Sequence, residues 1–295
     1  MKKKVLVIVG PTASGKSALA VKLAKKFNGE IISADSRQVY KGLDVGTGKI
    51  TKQEMRGIPH YLLDVANPRK QFSAAEYKKL SDEKVRYIVQ KGKLPIVVGG
   101  TGFYIDVLTG SVVLPDVPPN KTLRKRLEKK NLEELFKILK KKDLRRAKDI
   151  DRNNKIRIIR ALEIIDSLGK VPLNRGRQAS TKFVFIGLKP NNLNERIHKR
   201  LIERLPGIIR EARKLHREGL TYKRMYELGL EYRYVAMYLQ GNLNKLDMFN
   251  KLNTEIRRYA KRQMTWFKRN KKIKWFGPED LRAIEKYVRM TLLGL

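Results

Sequence analysis

Residues Gly10, Pro11, Thr12, Ala13, Ser14, Gly15, Lys16 and Ser17 stand in the spacing G-x-x-x-x-G-K-[ST], and residue types at that spacing bind phosphate. Glycines let the backbone curl until successive N–H groups converge on anionic oxygens. The helix that opens after the loop adds the positive end of its dipole. Lys16 brings a full charge to the phosphates, and the Ser17 hydroxyl is placed to ligate Mg²⁺. The whole stretch from Gly10 to Ser17 is therefore expected to hold a diphosphate or a nucleotide. The spacing does not say which compound binds, or whether a phosphoryl group is transferred.

Further chemistry-bearing residues fall at strand ends, where open parallel sheets bind their ligands. The stretch Glu30 to Ser33 reads as a strand that ends at Asp35. Asp35 is either a functional carboxylate beside the phosphate loop or a capping or turn residue. A second buried strand, Leu94 to Val98, runs into Gly99-Gly100-Thr101-Gly102. These glycines suggest close backbone approach by a ligand, or a tight strand-to-helix turn with a threonine cap. Nucleotide hydrolases of this kind usually end a strand with an acid that holds Mg²⁺. Asp35 and Asp64 are the available strand-end acids, which disfavours a motor or switch ATPase. His60 is expected to make a structural hydrogen bond.

The elements that must position these groups follow from pattern. Val5 to Val9 is a core strand and Ser17 to Phe27 a helix. Lys41 to Lys49 reads as a loop, and Ile58 to Val65 as a short strand. Ser73 and Glu76 form a capping box for a helix that runs towards Gln90. The prolines of 114–119 mark a break. Beyond it, Lys121 to Lys130, Leu132 to Lys141 and Lys155 to Ser167 read as basic helices, with Ile156, Ile159 and Leu162 on one face. Gly169 to Lys182 reads as a polar loop and Phe183 to Leu188 as a returning strand. The remainder reads as helical: Leu193 to Glu218 with a break at Pro206-Gly207, then Tyr222 to Leu239, then Phe249 to Arg269. The expected fold is α/β, a P-loop core with a mostly parallel sheet flanked by helices. Residues 1–118 and 182–295 form that core, and 119–181 form a basic helical insertion domain.

Composition narrows the partners. The 295 residues carry 67 Lys and Arg against 29 Asp and Glu, a formal charge of +38 with a pI near 10.4. A Lys-rich surface accounts for part of that excess, but a polyanionic partner fits better, because neutralised phosphates release counterions. With no cysteine, disulfides, thiolate metal sites and thiol nucleophiles are excluded. No apolar run approaches the roughly 20 residues of a membrane span. The chain is read as cytoplasmic and monomeric, with no membrane and no stable protein partner implied.

Six stretches together resemble the tRNA dimethylallyltransferases (tRNA isopentenyltransferases) of bacterial type. They are Gly10 to Ser17, Ser33 to Tyr40, Ile58 to Asp64, Val98 to Tyr104, Arg160 to Glu163 and Ala260 to Trp266. The resemblance implies transfer of a dimethylallyl group from its diphosphate to the exocyclic amine of the adenosine 3′ of the anticodon, with Mg²⁺ at Ser17. It implies Asp35 as general base and Thr101 as an orienting group. It also implies contact with the tRNA anticodon loop through Asp35, Ser36, Arg37, Gln38, Thr101, Arg124 and Ile156, Arg157, Ile158, Ile159 and Arg160. Arg262 and its neighbours would assist the diphosphate or the RNA backbone. Leu228 to Arg233 matches the family's Gly-Tyr pattern only loosely and is assigned no role. The alternatives are a P-loop small-molecule kinase, a prenyltransferase of free adenine nucleotides, and a non-catalytic RNA-binding protein.

Overall fold

A computed structural model describes residues 4–173 and 181–293. Part of the loop expected over 169–182 therefore lies outside the described residues. The chain divides into two compact units, one of Met1–Gly110 with Gln178–Leu295, the other of Ser111–Arg177.

The larger unit begins with β1 (Lys4–Val9), α1 (Lys16–Lys26), β2 (Gly29–Ser33), α2 (Lys52–Met55), β3 (His60–Tyr61), α3 (Ala74–Gln90), β4 (Leu94–Gly99) and α4 (Gly102–Leu108). The smaller unit holds α5 (Lys121–Glu128), α6 (Leu132–Lys142), α7 (Leu144–Asp149) and α8 (Lys155–Leu168). The larger unit then resumes with β5 (Lys182–Leu188), α9 (Leu193–Arg217), α10 (Tyr222–Leu228), α11 (Leu230–Leu239), α12 (Lys245–Phe267), β6 (Ile273–Phe276) and α13 (Leu281–Val288).

Among the described residues the strands form one sheet in the order β3-β2-β4-β1-β5-β6, every pair parallel. After β1 the chain leaves towards β2 on one side and returns as β5 on the other. The switch point therefore lies at the carboxyl end of β1, where open α/β sheets bind ligands. Strands covered on both faces read as apolar runs, as β1 does. Val5, Val7 and Val9 face a core shared with α4, α9 and α12, while Leu6 and Ile8 face α1 and α13. The capping box of α3 forms as expected, with Glu76 N–H donating to Ser73 Oγ at 3.2 Å and Ser73 N–H to Glu76 Oε2 at 2.7 Å.

Three sequence expectations are corrected in the C-terminal half. Helix α9 runs unbroken through Pro206. Proline forfeits one backbone hydrogen bond, but the buried stripe of Ile197, Leu201, Leu205, Ile208, Ala212 and Leu215 continues on both sides of it. Tertiary burial outweighs that local defect. Conversely, the stretch from Tyr222 to Leu239 is two helices, because Gly229 takes φ 78° and Leu230 φ 31°. The tail is not wholly helical, since β6 completes the sheet beside β5.

In the smaller unit, Leu123, Leu127, Leu135, Leu139, Ile158, Ile159, Leu162 and Ile165 form the core. Ile156 does not share that face. It is 80% exposed, at the first turn of α8.

A buried carboxylate holds the β2 end of the sheet. Glu30 accepts from Tyr61 Oη at 2.7 Å, Lys91 Nζ at 2.5 Å and Lys93 Nζ at 2.7 Å. Burial alone would raise its pKa, but those hydrogen bonds prevail and hold the carboxyl down at about 2. A depressed carboxylate contributes stability above its unfolded pKa and loses it as pH falls through the folded one. The stability gap between wild type and Glu30→Gln should therefore shrink by about 2 kcal/mol between pH 7 and pH 3, measured by denaturant unfolding. A gap independent of pH would contradict this account.

Candidate functional site

The phosphate loop is shaped by the backbone it joins. Gly10 sits where a Cβ would come within 2.8 Å of the Leu188 carbonyl, so β1 can turn beside β5 only without a side chain. Ala13 at φ 61° and Gly15 at φ 91° provide the left-handed steps that bring successive amides onto one side. Lys16 Nζ rests on the loop's own Pro11 carbonyl at 3.1 Å. The buried Ser14 hydroxyl finds no hydrogen-bond partner among the described residues, which leaves the loop a donor to spare.

Beside this loop lies a cavity of about 330 Å³, lined by residues of the larger unit. Thr12, Lys16 and Ser17 form the loop side, Asp35 to Gln38 another wall, and Leu228 to Tyr234 with Tyr259, Arg262 and Gln263 the helical side. Asp35 takes the turn position the sequence allowed and also faces the cavity. Its Oδ1 accepts from Arg37 N–H at 2.9 Å and Gln38 N–H at 3.4 Å, an Asx turn, and its carboxylate still lines the cavity. Burial lowers the Lys16 pKa to about 8, with Asp35 close enough to oppose the shift and Arg200 to assist it.

Thr101 makes no side-chain cap for α4. Its Oγ1 accepts from Ser36 N–H at 2.9 Å and donates to Ser36 Oγ at 3.3 Å, so it acts on the cavity through Ser36. The neighbouring glycines are required by the protein itself. A Cβ on Gly99 would fall 2.1 Å from the Ala34 carbonyl, one on Gly100 would meet Gln263, and one on Gly102 would meet Trp266.

Arg124 and Ile156 to Arg160 lie in the smaller unit. Its buried Glu163 takes Arg124 at 2.6 and 2.7 Å and Arg160 at 3.3 Å. Those hydrogen bonds hold the Glu163 carboxyl below its ordinary range against the opposing effect of burial. Ile158 and Ile159 are core residues, which leaves Ile156 and Arg157 as the exposed members of that segment. Asp64 pairs with Lys49 at 2.6 Å, and His60 Nδ1 meets the Ile58 carbonyl at 2.8 Å, the structural role expected of it.

Sequence reasoning missed several groups that build the cavity. Gln263 Oε1 accepts from Thr12 N–H at 2.8 Å while its Nε2 donates to the Gly100 carbonyl at 2.9 Å. A polar residue on the buried stripe of a helix was the available signal. Arg200, from α9, reaches the Gly48 carbonyl at 3.3 Å. Glu231, in the stretch left without a role, lines the cavity, and burial raises its pKa although Arg204 and Arg200 oppose the shift. Among the described residues no cluster of three or more His, Cys, Asp or Glu could hold a metal. The Ser17 hydroxyl, exposed and on the cavity wall, fits a Mg²⁺ whose other ligands come from a bound diphosphate and water. No helix among the described residues is long and apolar enough to cross a membrane.

Residues 38–270 match the IPP transferase family. The tRNA dimethylallyltransferase of Anoxybacillus flavithermus is 39% identical to this chain, the match covering 99% of the chain and 96% of that protein. That of Thermoanaerobacter sp. strain X514 is 41% identical, with 96% and 94% covered. Among solved structures, the full-length tRNA isopentenylpyrophosphate transferase of Bacillus halodurans superposes with a TM-score of 0.71 at 37% identity, over 97% of this chain and 95% of that one. A eukaryotic dimethylallyltransferase acting on tRNA superposes with a TM-score of 0.82 at 28% identity, over 98% and 78%.

Lys16 yields a pH prediction. A bound diphosphate favours its charged form, so binding near and above pH 8 takes up a proton. Affinity for inorganic diphosphate should fall as pH rises from about 8 to 10, while Lys16→Met binds weakly with a flatter profile. Calorimetry in buffers of different ionisation enthalpy reads both affinity and proton uptake. Equal uptake in the two proteins would place the titration elsewhere.

Proposed function

Since this chain belongs to the IPP transferase family, we propose that it transfers a dimethylallyl group from its diphosphate to the exocyclic amine of the adenosine 3′ of the anticodon in tRNA. The observation that carries this reading is one cavity holding a phosphate loop on one wall and Asp35 on another, with Lys16 and Asp35 in electrostatic reach. The loop binds the diphosphate as a leaving group. Lys16, the loop amides and the helix dipole stabilise the charge that develops as the allylic C–O bond breaks and its electron pair leaves with the diphosphate. A Mg²⁺ at Ser17 would add Lewis-acid stabilisation of the same charge. The amine nitrogen forms the new C–N bond, and Asp35 accepts the proton it must shed. Its Asx turn fixes where that carboxylate points. Thr101 fixes Ser36 beside it, and Gln38 is held to the Thr47 and Gly48 carbonyls at 3.4 Å.

The adenosine must leave its stack to enter the cavity, and the charge of +38 fits an RNA partner. Arg124, Ile156, Arg157 and Arg160 are assigned to the anticodon-loop contact, in the cytoplasm and without a membrane. The kinase reading is not favoured, because a small acceptor needs neither the basic helical insertion nor the excess of Lys and Arg.

The test is to incubate the protein with Mg²⁺, dimethylallyl diphosphate and unmodified tRNA, then weigh the digested nucleosides. One anticodon-loop adenosine should gain a prenyl increment. Asp35→Asn retains the Oδ1 acceptor of the turn, so it should fold and bind tRNA within about tenfold of wild type while transfer drops by about 10²–10⁴. An active Asp35→Asn would remove Asp35 as the base.

A further inference from the structure

The aromatic end of α12 is not used by the chemistry above. Trp266 Nε1 donates to Asp106 Oδ2 of α4 at 2.9 Å. Its indole lies so close over Gly102 that a Cβ there would fall 2.1 Å from the ring. Phe103 stands edge-on to that indole, with centroids 6.4 Å apart at 86°, and is 39% exposed. Arg269 lays its guanidinium over the indole at 3.9 Å, with its side chain 60% exposed. Lys261, Arg262 and Lys268 are exposed on the same stretch of chain. A lone exposed phenylalanine needs no explanation. This one is braced by an anchored indole, accompanied by cations, and placed two residues from Thr101, whose hydroxyl holds the Ser36 amide at the cavity wall.

Resting on the function proposed above, we propose that Phe103 is a stacking platform for the nucleobase adjacent to the extracted adenosine. Pulling one base from a stacked loop uncovers a face of each neighbour, which is unfavourable. An aromatic ring that takes over one uncovered face offsets part of that cost, and does so for any base, because every base has a π-face. The ligand is a nucleobase and not an apolar peptide, because Arg269 over the bracing indole and the exposed Lys261, Arg262 and Lys268 at that end of α12 suit a phosphate backbone. Trp266 and Asp106 are positioning residues that keep the phenyl ring upright.

The experiment is a double-mutant cycle between protein and RNA. Anticodon stem-loops are prepared intact, or abasic at the nucleotide on the 5′ or the 3′ side of the target. Binding is followed through Trp266 fluorescence in a Trp275→Phe background, which leaves Trp266 as the sole tryptophan. Removing one of the two neighbouring bases should weaken binding about tenfold with Phe103 present. The same removal should cost little in Phe103→Ala, and Phe103→Trp in the otherwise native chain should restore the coupling in prenyl-transfer KM. Affinity for dimethylallyl diphosphate should be unchanged in Phe103→Ala. Equal costs of both abasic sites in wild type and Phe103→Ala would overturn the platform, as would a loss of dimethylallyl diphosphate binding on removing the ring. Because the comparison of wild type with Phe103→Ala is read by binding, absence of a prenyl increment would count against the proposed function and leave that comparison standing.

Discussion

One side-chain amide holds the catalytic end of the molecule together. Gln263 bridges the Thr12 N–H of the phosphate loop and the Gly100 carbonyl beyond β4. It comes from α12, far along the chain from both. The carboxyl ends of two adjacent strands are thus clamped to one helix at fixed separation, and a buried amide satisfied at both ends tolerates little displacement. Gly100 must lack a side chain for Gln263 to enter, and Gly99 must lack one for the Ala34 carbonyl to approach. Asp35 follows immediately after that carbonyl. The distance between phosphate loop and carboxylate, on which transfer chemistry depends, is set by these close approaches.

The opposite wall is held in a similar manner. Glu211 on α9 accepts the amides of Asp44, Val45 and Gly46 at 2.7–2.8 Å and the Tyr232 hydroxyl at 2.7 Å. A single carboxylate thereby fixes the loop at 44–46 and the start of α11. Arg200, about three turns earlier on the same side of α9, holds the Gly48 carbonyl and contributes positive charge to the cavity. The result is a polar cavity whose charged groups are restrained before any ligand arrives, the condition under which electrostatic stabilisation of a leaving group costs least reorganisation.

Local patterns made much of this legible. The phosphate-loop spacing, the capping box at Ser73 and the apolar strands are short-range features, in which a residue's neighbours in sequence are also its neighbours in space. Asp35 was legible as a strand-end acid, and His60 as a structural hydrogen-bonder. What was misread depended on distant partners. The Pro206 break was expected from local propensity, but the buried stripe of α9 prevailed. Thr101 was offered as a cap for the helix after β4, whereas Ser36, brought alongside by the β2–β4 pairing, occupies its hydroxyl. Ile158 and Ile159 were grouped with surface contacts, yet three neighbouring helices close over them.

By itself, the order of residues determined that this chain has a parallel α/β core with a phosphate loop, a strongly basic surface and an interrupting helical segment. Those properties follow from periodicity, charge and a short motif, all of which are fixed within a few turns of chain. Only the tertiary structure decided which side chains share the cavity. Gln263, Arg200, Glu231 and Tyr259 lie far from Lys16 in sequence, and their spacing encodes nothing about mutual distance. Their convergence comes from α9, α11 and α12 burying apolar stripes against the face of β1 that presents Val5, Val7 and Val9. Burial of those stripes is non-directional along the sequence, so the meeting of the polar residues beside them is visible only once the chain has folded.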